Sequence, residues 1–166
     1  MNIPLGDFNQ GALGQASFNW QGQRIAPNIC YEDLFGEELA TRFTDARQAP
    51  TVFVNLSNLA WFGDGQAIDQ HLQISRLRAL EFARPMVRAT NTGATVVIDH
   101  RGQVTAALPR STRGVLHANV EGRQGLTPYA WVTARFGLWP WWSFGLVMGL
   151  LGWVGRAARA RDKLPP

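Results

Sequence analysis

The chain has 166 residues, 46% of them apolar, with a formal net charge of +4 and a sequence pI of about 10.2. That length fits one ordinary domain, and the apolar content supports a core and excludes a disordered chain. The basic excess gathers at the end, in Arg156, Arg159, Arg161 and Lys163, so nothing calls for nucleic acid, and the single cysteine, Cys30, excludes an internal disulfide and a cysteine-rich zinc site.

In chain order, residues 1–7 have neither the basic n-region nor the apolar h-region of a secretory signal. Residues 24–30 read as a short strand, and 32–43 as a helix with acids in its first turns. Residues 51–57, rich in β-branched side chains, form a second strand, and strand–helix–strand implies a parallel pair with a crossover. A turn-rich stretch over 58–65 leads into a helix over 66–83 stopped by Pro85, with Leu77 and Leu80 turned inward and Arg78, Glu81 and Arg84 paired along one side. A meander follows, with strands over 86–90, 94–99, 103–108 and 115–120 separated by Asn-Thr-Gly, His-Arg-Gly and a polar loop. The result is an α/β domain over 1–122 with a strand-rich second half, joined to the remainder by a linker over 123–135.

Residues 136–154 carry no charge and approach the roughly 20 residues that cross a bilayer. Trp139, Trp141 and Trp142 stand near one end and Trp153 near the other, as in aromatic belts, and Gly145, Gly149 and Gly152 suit a close helix neighbour. This segment is expected to be a transmembrane helix, with 155–166 a basic cytoplasmic tail and the domain on the opposite side. A domain there needs a translocation route, so further sequence is expected before Met1.

Cys30 ends a strand just before a helix start, where orphan N–H groups gather and the N–H of Tyr31 could meet an oxyanion. A lone cysteine after an apolar strand is also a common packing residue, and residue chemistry alone leaves both readings open. His71 in a helix, His100 in a turn and His117 in a strand read as structural or solvated, which disfavours a papain-like pair. Glu32 could act on a proton, hold a neighbour, or serve as a first-turn helix acid.

Together "NICYED", "NLSNLAWFGDG", "HLQISRLRALEFARPMVRATNTGATVVIDHRGQV" and "GLTPYAWV" before an apolar span resemble the C-terminal part of the apolipoprotein N-acyltransferase family. The resemblance implies part of a nitrilase-like (carbon-nitrogen hydrolase) α-β-β-α sandwich followed by one transmembrane helix, in a bacterial inner membrane with its catalytic domain on the periplasmic side. It implies transfer of an acyl chain from a phospholipid, through a cysteine thioester, to the N-terminal amine of a diacylated apolipoprotein, without cofactor or metal. Cys30 matches the nucleophile, Tyr31 the residue supplying the oxyanion amide, and Glu32 the acid of the Cys-Tyr-Glu motif. Asn55, Ser57, Asn58, Trp61 and Phe62 match the loop beside the pocket, with Asn58, Trp61 and Phe62 expected to meet substrate. Arg84, Arg88 and Asn91 fall in a segment read as scaffold. Nitrilase-type sites also use a glutamate base and a lysine upstream of the cysteine, and residues 1–29 contain neither. The chain is therefore expected to be a fragment inactive alone. The competing readings are a membrane-tethered nitrilase-type amidohydrolase and a non-catalytic membrane-anchored remnant.

Overall fold

The computed structural model describes residues 11–63 and 65–161, with side chains described through Arg156. Residues 11–135 belong to one compact unit, and the chain from Phe136 onward forms a second.

The first unit is built on a six-stranded sheet in sequence order: β1 (Phe18–Trp20), β2 (Gln23–Ile29), β3 (Val52–Ser57), β4 (Met86–Thr90), β5 (Val96–Ile98) and β6 (Val104–Ala107). Strands β2, β3 and β4 are mutually parallel, and the outer pairings are antiparallel. The parallel pairs need crossovers. The first runs through α1 (Gly36–Ala40) and the second through α2 (Gln66–Phe82).

Register places the residues of one sheet face in rows. Ala26, Phe53, Met86 and Ile98 stand side by side and are fully buried. Two residues further along the parallel strands, toward their carboxyl ends, the row changes to Asn28, Asn55 and Arg88. Helix α2 covers this face with a matching split: Ala79 and Phe82 are buried at one end, His71 and Ser75 at the other. Phe43, Phe53 and Phe82 pack ring against ring in the apolar half. The other face, carrying Ile25, Pro27, Ile29, Val54, Leu56, Val87 and Ala89, is only half covered, and Ile29 and Leu56 remain 63% and 49% exposed.

Several expectations need correction. The helix expected over 32–43 is three short pieces: a 3-10 turn over Cys30–Leu34, α1, and a second 3-10 turn over Thr41–Phe43. It breaks at Phe35 and Gly36, where Arg78 and Tyr129 come so close that a side chain at Gly36 would collide with both. Leu77 and Leu80 face outward, 50% and 54% exposed, because the face of α2 toward the polar row carries His71 and Ser75 instead. Arg78 does pair with Glu81, at 2.9 Å, whereas Arg84 turns inward to the Pro50 carbonyl at 2.6 Å. Residues 115–120 form no strand: the sheet ends at β6 and Val115 is 75% exposed. An alternating pattern makes a strand only where a partner edge and a face to bury are present. Residues 128–135, placed by sequence in the linker, and Phe136, placed at the start of the next segment, form α3 (Pro128–Phe136). The Thr127 hydroxyl accepts the Ala130 N–H at 3.0 Å as its cap, and Ala130 is fully buried.

The second unit is dominated by α4 (Trp139–Arg161), whose side chains from Trp141 to Arg156 are all exposed. Among the described residues no helix is long and apolar enough to cross a membrane, so the membrane-crossing helix expected over 136–154 is not shown. The tryptophans, Pro140 and the four glycines dilute the Leu and Val content of the run, and its last turns are basic. The sidedness expected for the domain and the tail depended on that crossing. Lys163 lies outside the described residues.

Candidate active site

Strand β2 ends at Ile29 and the chain turns at once into the 3-10 helix that begins with Cys30. Cys30 makes this turn with φ at +53°, a left-handed conformation that costs a residue with a Cβ about 1–2 kcal/mol. Strain of this kind persists only where the surroundings over-determine it. Here the thiol is free and half-buried, held up at the carboxyl end of a central parallel strand.

The surroundings are the polar row and the polar end of α2. Asn55 Nδ2 donates to the Cys30 carbonyl at 2.9 Å and to Asn28 Oδ1 at 2.5 Å, while Asn55 Oδ1 accepts the Ser57 hydroxyl at 2.5 Å. His71 Nε2 lies 2.9 Å from Asp33 Oδ1 and 3.2 Å from the Cys30 carbonyl. The other Asp33 oxygen takes the Ser75 hydroxyl, and Arg88 donates to Ser75 and, at 2.9 Å, to the His71 carbonyl. Asp33, His71, Ser75 and Arg88 are all fully or almost fully buried. Burial lowers the pKa of the Arg88 guanidinium, and the negative charges of Asp33 and then Cys30 act against that shift.

Tyr31 stacks its ring on His71, with centroids 4.6 Å apart and planes 19° from parallel, and meets Phe62 edge-on at 5.8 Å. Glu32 turns its carboxylate back to accept the Ile29 N–H at 2.7 Å, so it braces the elbow from outside. Burial lowers the pKa of the Arg42 guanidinium, and the charge of Glu32 works against that shift. Ile29, Tyr31, Glu32, Phe35 and Arg42 line one side of a cleft of about 720 Å³ beside the elbow.

The expected site residues come together in part. Phe62 reaches Tyr31, and Trp61 beside it is 54% exposed. Asn58 is occupied with its own loop: its Oδ1 accepts the Ala60 N–H at 3.2 Å and the Asn91 amide at 2.7 Å. Asn91 Oδ1 in turn accepts the Leu59 N–H at 2.9 Å, so the loop over 58–62 is tied to the turn after β4. Sequence reasoning left out Asp33 and Ser75 and read His71 and Arg88 as structural or scaffold. Two signals pointed to them: His71 and Ser75 are one helical turn apart, and Arg88 sits two residues from Met86 in a strand whose alternation would put it inside. His100 and His117 lie away from this cluster, in a turn and in an exposed stretch.

A family model for carbon-nitrogen hydrolase matches residues 7–129. The apolipoprotein N-acyltransferase of Verminephrobacter eiseniae is 70% identical over an alignment of 145 residues that covers 83% of this chain and 27% of that protein. That of Ralstonia nicotianae is 54% identical over 160 residues, 96% of this chain and 30% of that protein. The chain therefore spans less than a third of the length of these curated relatives. Among solved structures, a carbon-nitrogen hydrolase from Helicobacter pylori G27 matches with a TM-score of 0.55 at 14% identity, over 66% of this chain and 44% of that one. An amidase from Nesterenkonia sp. matches with a TM-score of 0.55 at 20% identity, over 74% and 45%. At these identities the solved structures speak for the fold alone.

Proposed function

The chain belongs to the carbon-nitrogen hydrolase family, and we propose that it carries the nucleophile side of an apolipoprotein N-acyltransferase active site. The observation that carries this reading is Cys30 itself: a free thiol at a left-handed elbow, with its own carbonyl held from behind. The curated relatives supply the reaction class.

In the proposed cycle the Cys30 thiolate attacks an ester carbonyl of a phospholipid. The carbonyl oxygen becomes an oxyanion facing the Tyr31 N–H; the C–O bond then breaks, and the lysophospholipid leaves with a proton. The α-amine of a diacylated lipoprotein attacks the resulting thioester and gives up a proton, the C–S bond breaks, and the thiolate returns. Glu32 keeps the elbow in shape through the Ile29 N–H. Asn58 holds the neighbouring loop, and Trp61 with Phe62 offers an apolar, partly exposed surface to an acyl chain. No lysine or glutamate lies among residues 1–29, so the proposal takes the acid–base partners from sequence outside this chain. The half-covered sheet face around Ile29 and Leu56 is where the second sheet of an α-β-β-α sandwich would pack. Helix α4, apolar and exposed, is the element proposed to meet lipid, which fits a bacterial inner membrane.

The test uses the protein as its gene encodes it, purified in detergent and incubated with phosphatidylethanolamine. Mass spectrometry is expected to find an acyl thioester on Cys30, and a diacylglyceryl-cysteine peptide with a free α-amine is expected to remove it. Absence of the thioester sinks the proposal, and acyl release to water alone points to an amidohydrolase instead.

A further inference from the structure

The Cys30–Tyr31 peptide is the unit on which the proposed chemistry turns, and it is held by its carbonyl. A trans peptide is planar, with its N–H pointing away from its C=O, and among the described residues no peptide is cis. The Cys30 carbonyl faces Asn55 Nδ2 at 2.9 Å and His71 Nε2 at 3.2 Å. The Tyr31 N–H therefore points away from both. As the second residue of its 3-10 turn, Tyr31 has no acceptor for this N–H within the turn.

Neither donor can easily reorient. Asn55 uses its amide protons on the Cys30 carbonyl and Asn28 Oδ1, and its oxygen accepts the Ser57 hydroxyl, so a flip of the amide sets its oxygen against two acceptors. His71 Nδ1 faces Arg88 Nη2 at 3.4 Å. A guanidinium only donates, so Nδ1 is assigned as the acceptor and the ring proton as lying on Nε2, shared between Asp33 Oδ1 and the Cys30 carbonyl. The same ring stacks on Tyr31. The carbonyl of this peptide is thereby held by two buried groups, at a residue whose left-handed φ would not hold by itself.

We infer that Asn55 and His71 are positioning residues: through the Cys30 carbonyl they aim the Tyr31 N–H at the oxyanion formed when the Cys30 thiolate adds to an ester. This rests on Cys30 being the acyl-accepting nucleophile. Both side chains are fully buried behind the elbow.

Two reactions of the same thiol separate aim from reactivity. With p-nitrophenyl octanoate, sulfur bonds to the carbonyl carbon through an oxyanion and the C–O bond breaks to release p-nitrophenolate. With iodoacetamide, sulfur displaces iodide at a saturated carbon and no oxyanion forms. In the protein as its gene encodes it, purified in detergent, Asn55→Ala and His71→Leu are expected to slow acylation about 10- to 100-fold while alkylation is unchanged. His71→Gln, whose amide N–H can take the place of Nε2–H, is expected to recover most of the acylation rate. If Asn55→Ala does not fold, Ser57→Ala removes only the hydroxyl that fixes the Asn55 amide and is expected to slow acylation about threefold. Equal losses in both reactions, no loss in acylation, or His71→Gln no better than His71→Leu overturns the inference. A second readout needs no chemistry: the backbone order parameter of Tyr31 is expected to fall from about 0.85 toward 0.6 in Asn55→Ala and His71→Leu, and an unchanged value overturns the inference. Wild-type protein that alkylates at Cys30 but never acylates defeats the acyl-transfer reading and with it the aim at an oxyanion, and the order parameter then decides only whether Asn55 and His71 hold the Tyr31 peptide.

Discussion

Arg88 and Asp33 face each other inside the domain, Nη1 3.7 Å from Oδ2, and neither side chain reaches solvent. They come from different elements, β4 and the turn after β2, and are joined by His71 and Ser75 of α2. The pair is thus a fastener between sheet and helix directly beneath the elbow.

Removing one member of such a buried pair strands the other. Arg88→Met is expected to destabilise the domain by about 3–5 kcal/mol, and Arg88→Lys to recover little, because an ammonium cannot reach Ser75, Asp33 and the His71 carbonyl as a fork does. Adding Asp33→Asn to Arg88→Met is expected to cost less than the sum of the two single changes. Denaturant unfolding of the four proteins checks this, and strict additivity would count against the pairing.

The left-handed turn at Cys30 sets stability against chemistry. Cys30→Gly is expected to be more stable than Cys30→Ala by about 1 kcal/mol, since only the alanine keeps the Cβ that the φ of +53° opposes. Both should lose acyl transfer completely. Equal melting temperatures for the two variants would mean that the elbow is unstrained.

The loop beside the elbow depends on Asn91. Asn91→Ala removes the acceptor of the Leu59 N–H and one of the two donors to Asn58 Oδ1, at a cost of about 1–2 kcal/mol. Hydrogen exchange at Leu59 should rise accordingly. Trp61→Ala, at an exposed position, is expected to change stability by less than about 0.5 kcal/mol and to weaken only the use of long-chain acyl donors. If short- and long-chain donors suffer equally, Trp61 has no part in holding the chain.

On the far side of α2, burial raises the pKa of the Glu81 carboxyl above its usual 4.5, with Arg78 partly offsetting the shift. A carboxyl that holds its proton more tightly when folded destabilises the fold once ionised. Its contribution therefore falls as pH rises from about 4.5 through the raised folded value, and Glu81→Gln is expected to remove that slope in unfolding measurements. Burial, and after it the charge of Glu81, raises the Tyr129 phenol. In a Tyr31→Phe background, tyrosinate absorbance should show Tyr129 ionising at lower pH when Glu81 is replaced by Gln; an unmoved titration would break the link.

Much of the framework was legible along the chain. The β-branched run over 51–57 and the crossover lengths give the parallel strands, and Pro85 marks the end of α2, whose last residues adopt the left-handed cap at Ala83. The inward face of α2 was misread because apolar periodicity assumes an apolar floor. Here the floor changes to Asn28, Asn55 and Arg88, so His71 and Ser75 belong inside and Leu77 and Leu80 do not.

Local sequence determined where Cys30 stands, at the end of a strand with a turn-forming acidic segment after it, because strand periodicity and helix-start chemistry act over a few residues. The motifs around it were enough to identify the family by resemblance. Tertiary structure decided what holds the cysteine: Asp33, Asn55, His71 and Arg88 come from four separate elements and meet only through strand register and helix docking. Hydrogen-bond distance between residues tens of positions apart is not written in either one's neighbourhood, which is why the support beneath the elbow emerged only from the fold.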